Sequence, residues 1–110
     1  MLMMSVVTMM NEDAFVANLK LLGFVRDTYD AGGWTSYDLK NQWGVYEITV
    51  FVHYNGAMPR DIHIHLYMSD PRRVYPEGEI EKDHHYHKED SDDAISLLVH
   101  YISTYLEVRQ

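Results

Sequence analysis

The sequence predicts an α+β fold: a two-layer sandwich in which N- and C-terminal helices cover one face of an antiparallel sheet of four strands, or five. Three observations predict it. Residues 46–68 alternate apolar and polar side chains with a period of two about a central turn, and residues 91–106 repeat apolar side chains every three or four positions. Four successive strand-like runs are separated only by short turn-like segments. Short connections make neighbours antiparallel, so the order α-β-β-β-β-α folds most simply as a meander with a helix at each end.

The first ten residues, Met1 to Met10, carry no charge and are mostly apolar. They lack the basic start and small-residue cleavage pattern of a signal peptide, and a bilayer span takes about 20 apolar residues. A short strand or a loosely packed, flexible arm is expected there. Asn11 reads as an N-cap, with Glu12 and Asp13 in the first turn, and Phe15, Val16, Leu19 and Leu22 form an apolar stripe that Gly23 ends. A helix of about three turns follows.

From Phe24 to Tyr29 the residues turn strand-like, Asp30-Ala31-Gly32-Gly33 makes a turn, and Trp34 to Lys40 alternates again. A second turn, Asn41-Gln42-Trp43-Gly44, leads into the central pair. In that pair Tyr46, Ile48, Val50 and Val52 share one side, as do Ile62, Ile64, Leu66 and Met68, with Asn-Gly-Ala-Met-Pro (55–59) between the strands. The reverse face carries Thr49, Phe51, His53, His63, His65 and Tyr67, aromatic and imidazole groups where plain charge is usual.

Residues 70–90 form an acidic, histidine-rich connection. A structureless stretch of roughly 20 residues is uncommon in a small domain, so an extra hairpin, a disordered loop and a functional loop are the readings, in that order. Asp90 or Ser91 then caps a helix of about four turns with Ile95, Leu98, Val99, Ile102, Tyr105 and Leu106 as its stripe.

Composition bounds the function. A chain of 110 residues, 46% hydrophobic and 24% charged, is expected to be one domain with a core sufficient for stability. No cysteine is present, which removes disulfides, thiolate metal sites and cysteine nucleophiles and suits the cytoplasm. Between Pro76 and Asp93 stand eight acids (Glu77, Glu79, Glu81, Asp83, Glu89, Asp90, Asp92, Asp93) against two lysines, so this segment holds −6 of the net −8. Without a basic patch, direct binding of nucleic acid is not expected. Nor is there a nucleophile elbow or a phosphate-binding glycine loop.

Two surfaces remain as candidate sites. Alternate residues on a strand stand about 6.8 Å apart on the same side, so His63 and His65 could share zinc or another divalent metal, with His53 as third ligand if the register sets it opposite His63. Glu47 is a further donor on that face, and His84, His85 and His87 form an alternative cluster. A metal-dependent hydrolase is the one enzyme reading with a geometric basis. The plainer reading is that these side chains are half-exposed amphipathic cover.

The leading expectation is a non-enzymatic protein-binding module. Its contact residues are Phe51, His53, His63, His65 and Tyr67 on the open face and Glu77, Glu79, Glu81 and Asp83 in the acidic segment. On size and charge alone the chain looks like the assortment of small inhibitor, immunity and phage-encoded counter-defence proteins. One version has the carboxylates mimic nucleic acid toward a basic protein partner, and a homodimer through the same face is a further option.

Overall fold

Asp13 starts the first helix, because its carboxylate accepts the free amides of Phe15 at 2.9 Å and Val16 at 3.4 Å. A computed structural model of the chain describes residues 13–42, 46–55, 58–68 and 81–107. The expected cap, Asn11, and the Met1–Met10 arm lie outside these residues, and the cap falls on a residue assigned by sequence to the first turn. Helix α1 (Ala14–Leu21) buries Phe15, Val16 and Leu19. It ends at Gly23, whose φ of 99° allows the Gly23 amide to reach Lys20 O and the Phe24 amide to reach Leu19 O, each at 3.0 Å. That pair of bonds satisfies the last carbonyls of the helix.

Five strands follow: β1 (Val25–Ala31), β2 (Trp34–Lys40), β3 (Tyr46–Asn55), β4 (Met58–Met68) and β5 (Glu81–His87). They form one antiparallel sheet in sequence order. The β1–β2 turn places Gly32 and Gly33 at φ values of 60° and 81°, the two successive positive angles that a tight hairpin turn needs. Between β3 and β4 the register passes from Asn55↔Met58 and Tyr54↔Pro59 to His53↔Asp61, so Arg60 is an extra residue at a bulge. Pro59 lies past the end of β5, whose pairing with β4 begins at Asp61↔His87.

The fifth strand answers the question left by the histidine-rich segment. Glu81–His87 pairs with β4 along its length and forms an edge of the sheet. Residues 69–80, Glu77 and Glu79 among them, lie outside the described residues.

A 3₁₀ turn (Lys88–Asp90) leads directly into α2 (Ser91–Tyr101). This helix buries Ala94, Leu98 and Tyr101, at i, i+4 and i+7, whereas Val99, expected in the stripe, is 49% exposed. A five-residue π turn (Ile102–Leu106) ends it, closed by the Glu107 amide on Ile102 O at 2.9 Å. The wider turn admits one extra residue, so Leu106 takes the buried position that Tyr105 would hold in a regular helix.

Both helices lie over the same side of the sheet. Ile48, Val50, Val52, Ile62, Ile64 and Leu66 have no exposed surface, while their neighbours Phe51, His53, His63, His65 and Tyr67 remain half exposed. The fold is therefore an α+β sandwich with one covered face. Fully burying side chains of this kind contributes about 1.5–3 kcal/mol each, which makes this inner layer the main source of stability. Among the described residues no helix is long and apolar enough to cross a membrane.

Candidate functional site: the open face of the sheet

Side-chain alternation and register fix what the sheet face turned away from the two helices presents. Across β2, β3, β4 and β5 one row reads Trp34, His53, Asp61, His87, and the next reads Ser36, Phe51, His63, His85. A third reads Asp38, Thr49, His65, Asp83. Lys40, Glu47 and Tyr67 begin the last, at the position of Glu81. Five of the seven histidines thus share one face.

The expected contact residues Phe51, His53, His63, His65, Tyr67 and Asp83 are all on this face. The rings meet in pairs: Trp34 and His53 have centroids 4.7 Å apart, His65 and Tyr67 5.0 Å, and Phe51 and His63 6.1 Å. Small residues sit between these large ones, and Ser36 and Thr49 are buried there with no described helix above them.

The register changes the metal candidates. Phe51 stands opposite His63, and His53 stands opposite Asp61, so the condition for a His53, His63 and His65 set is not met. His63 is instead bonded through Nε2 to Asp83. The alternative set of His84, His85 and His87 is divided by strand alternation. His84 pairs beside Ile64 on the covered side and is hydrogen bonded through Nε2 to the Tyr101 hydroxyl at 2.6 Å, while His85 and His87 are on the open side.

Asp61 is the residue that sequence reasoning missed. His87 Nδ1 is 3.1 Å and His85 Nε2 3.5 Å from its Oδ1, and His53 Nδ1 is 3.7 Å from its Oδ2. Arg60 Nε is also 3.7 Å from Oδ2. Burial acts to raise the Asp61 pKa, but the His87 hydrogen bond and the charges of Arg60, His85 and His87 outweigh it and hold the carboxyl below its usual range. The signal that could have found it was present: Asp61 is two residues before His63, on the same side of the same strand.

Carboxylates at the other end of the face are engaged as well. The Tyr67 hydroxyl donates to Glu47 Oε2, with Lys40 Nζ at 3.8 Å from the other oxygen, and burial followed by this bond pushes the Tyr67 hydroxyl up to about 12. Asp38 is raised by burial and by the charges of Glu47 and Asp27, against the lowering effect of its bond from Thr49. No protein-family model matches the chain, and neither does any curated protein or solved structure.

Proposed function

We propose that the chain is a small acidic, non-enzymatic binding protein that engages a protein partner with a basic surface through the open face of its sheet. It would act in the manner of an inhibitor, immunity or counter-defence protein. The observation that supports this best is the face itself: half-exposed Trp34, Phe51 and Tyr67 among five histidines, with no described element over them. Large amphipathic rings are the side chains that anchor protein interfaces.

Charge selects the kind of partner. Asp38, Glu47, Asp61 and Asp83 share the face, and the chain carries −8 overall. A second copy would bring two faces of like charge together, whereas a basic protein meets a complementary potential. Asp61 and Asp83 are held by histidines, so mimicry of a phosphate row draws less support than contact with the mixed aromatic and imidazole surface.

Light scattering comes first, and a monomer is expected. Affinity capture from the source cells then compares wild type, the double variant Phe51→Glu/His65→Glu, and Leu21→Glu as a control at a residue 84% exposed on α1. The expected result is one partner retained by wild type and control, lost by the face variant and released as salt is raised. A dimer dissolved by Phe51→Glu, a partner still bound by the face variant, or no capture by wild type overturns the proposal.

A further inference from the structure

Three neighbouring strands bring nitrogen and oxygen donors together at the end of the open face nearest the β3–β4 turn. Asp61 on β4 lies between His53 on β3 and His87 on β5, and His85 stands two residues from His87 on the same side of β5. Ligand atoms of Asp61, His85 and His87 all lie within 4.8 Å of one another. Donors about 2.0–2.1 Å from a tetrahedral zinc ion are about 3.3–3.5 Å apart. The distances from Asp61 Oδ1 to His87 Nδ1 and His85 Nε2, 3.1 and 3.5 Å, are close to that spacing.

A second observation concerns His53. Its Nδ1 is buried and has no hydrogen-bond partner among the described residues, although Asp61 Oδ2 stands 3.7 Å away, just beyond bonding reach. A buried polar nitrogen without a partner is costly, and this one stands beside the same carboxylate.

From this geometry we infer that the chain binds one divalent cation of the zinc type through Asp61, His85 and His87. The ion takes the place of the proton in the His87–Asp61 hydrogen bond. Two imidazole nitrogens and one carboxylate oxygen suit zinc, and three protein donors leave the fourth tetrahedral position to water or another ligand. Among the described strands β5 pairs with β4 only, and the ion adds a side-chain link between β4 and β5. The site is independent of the partner reading and differs from the histidine sets suggested by sequence.

The test uses untagged full-length chain, stripped with a chelator and titrated with zinc chloride by calorimetry and with cobalt chloride by absorption spectroscopy. One ion per chain, cobalt bands of tetrahedral strength and a Tm that climbs with free zinc are expected. Asp61→Asn, His85→Ala and His87→Ala should each weaken binding by about tenfold or more, since even residues that only support a ligand have effects of that size. His65→Ala and His100→Ala should leave it unchanged. His85 and His87 are exposed, so circular dichroism of those variants should match wild type. Absence of stoichiometric binding, full affinity in His85→Ala or His87→Ala, or loss of binding in His65→Ala overturns the site.

Discussion

Thr49 donates through Oγ1 to Oδ1 of Asp38 at 2.9 Å, linking β3 to β2 on the face of the sheet turned away from the two helices. This bond favours the charged carboxylate, yet burial and the charges of Glu47 and Asp27 raise the Asp38 pKa above 3.8. An acid whose folded pKa exceeds its unfolded value destabilises the native state as pH rises through that interval, and fully so above it. Asp38→Asn keeps an oxygen for Thr49 and removes the charge. It should therefore raise the Tm at pH 7 and have no effect at pH 3. Because the group is partly solvated, the gain is less than about 1 kcal/mol. Paired thermal melts at the two pH values check it.

Tyr67 and Glu47 form the corresponding link between β4 and β3. Glu47 is only 7% exposed, so losing the hydroxyl leaves a desolvated carboxylate with a lysine 3.8 Å away. Tyr67→Phe should cost about 1–3 kcal/mol in urea unfolding at pH 7. The sign at high pH is separate. A hydroxyl whose folded pKa is raised to about 12 from 10.0 contributes stability in full below pH 10, and that stability is lost as pH rises through 12. The gap between wild type and variant should accordingly narrow over that window, and a constant gap would count against the bond.

The two glycines of the β1–β2 turn are predicted to respond differently to alanine. Both have positive φ, but a Cβ on Gly32 meets nothing within 4 Å, whereas one on Gly33 comes 3.4 Å from Tyr54 O and 3.5 Å from His53 Nε2. Gly33 O also accepts the Tyr54 amide at 2.9 Å, so the turn cannot shift without disturbing the adjoining strand. Gly32→Ala should cost about 1 kcal/mol from backbone strain alone, and Gly33→Ala measurably more. Equal losses in chemical denaturation would contradict the close approach.

The covered face was legible in the sequence because Ile48, Val50, Val52, Ile62, Ile64 and Leu66 write it directly in a period of two. The last strand was expected only as an option, a fifth strand or an extra hairpin. Lys82, His84 and Tyr86 on one side and Asp83, His85 and His87 on the other give no apolar alternation, so Glu81–His87 becomes a strand by pairing with β4 rather than by local preference. The partner of His53 was equally hidden. It depends on the single extra residue at Arg60, and one residue of slip changes every opposing pair. Burial of Leu106 was expected from its place in the apolar stripe, whereas the exposure of Val99 and the π turn are announced by no sequence period. The open face could be anticipated and Asp61, two residues before His63, placed on it, but the register that brings His53, His85 and His87 around it could not.

Asp13 joins both ends of the described chain, and its two roles can be separated. One oxygen caps α1 through the Phe15 and Val16 amides, and the other accepts an ion pair from Lys88 Nζ at 2.9 Å, just ahead of α2. Asp13→Asn retains a capping oxygen and loses the charge, whereas Asp13→Ala loses both. The alanine variant should cost about 0.5–2 kcal/mol from the cap, with a further contribution from the ion pair. The asparagine variant should cost less, about 0.2–1 kcal/mol, with a difference from wild type that shrinks as salt is raised. Lys88→Met should match the asparagine variant, and the double variant Asp13→Asn/Lys88→Met should add little to either, because both remove the same contact. Fully additive losses in denaturant titrations would show that Asp13 and Lys88 do not interact.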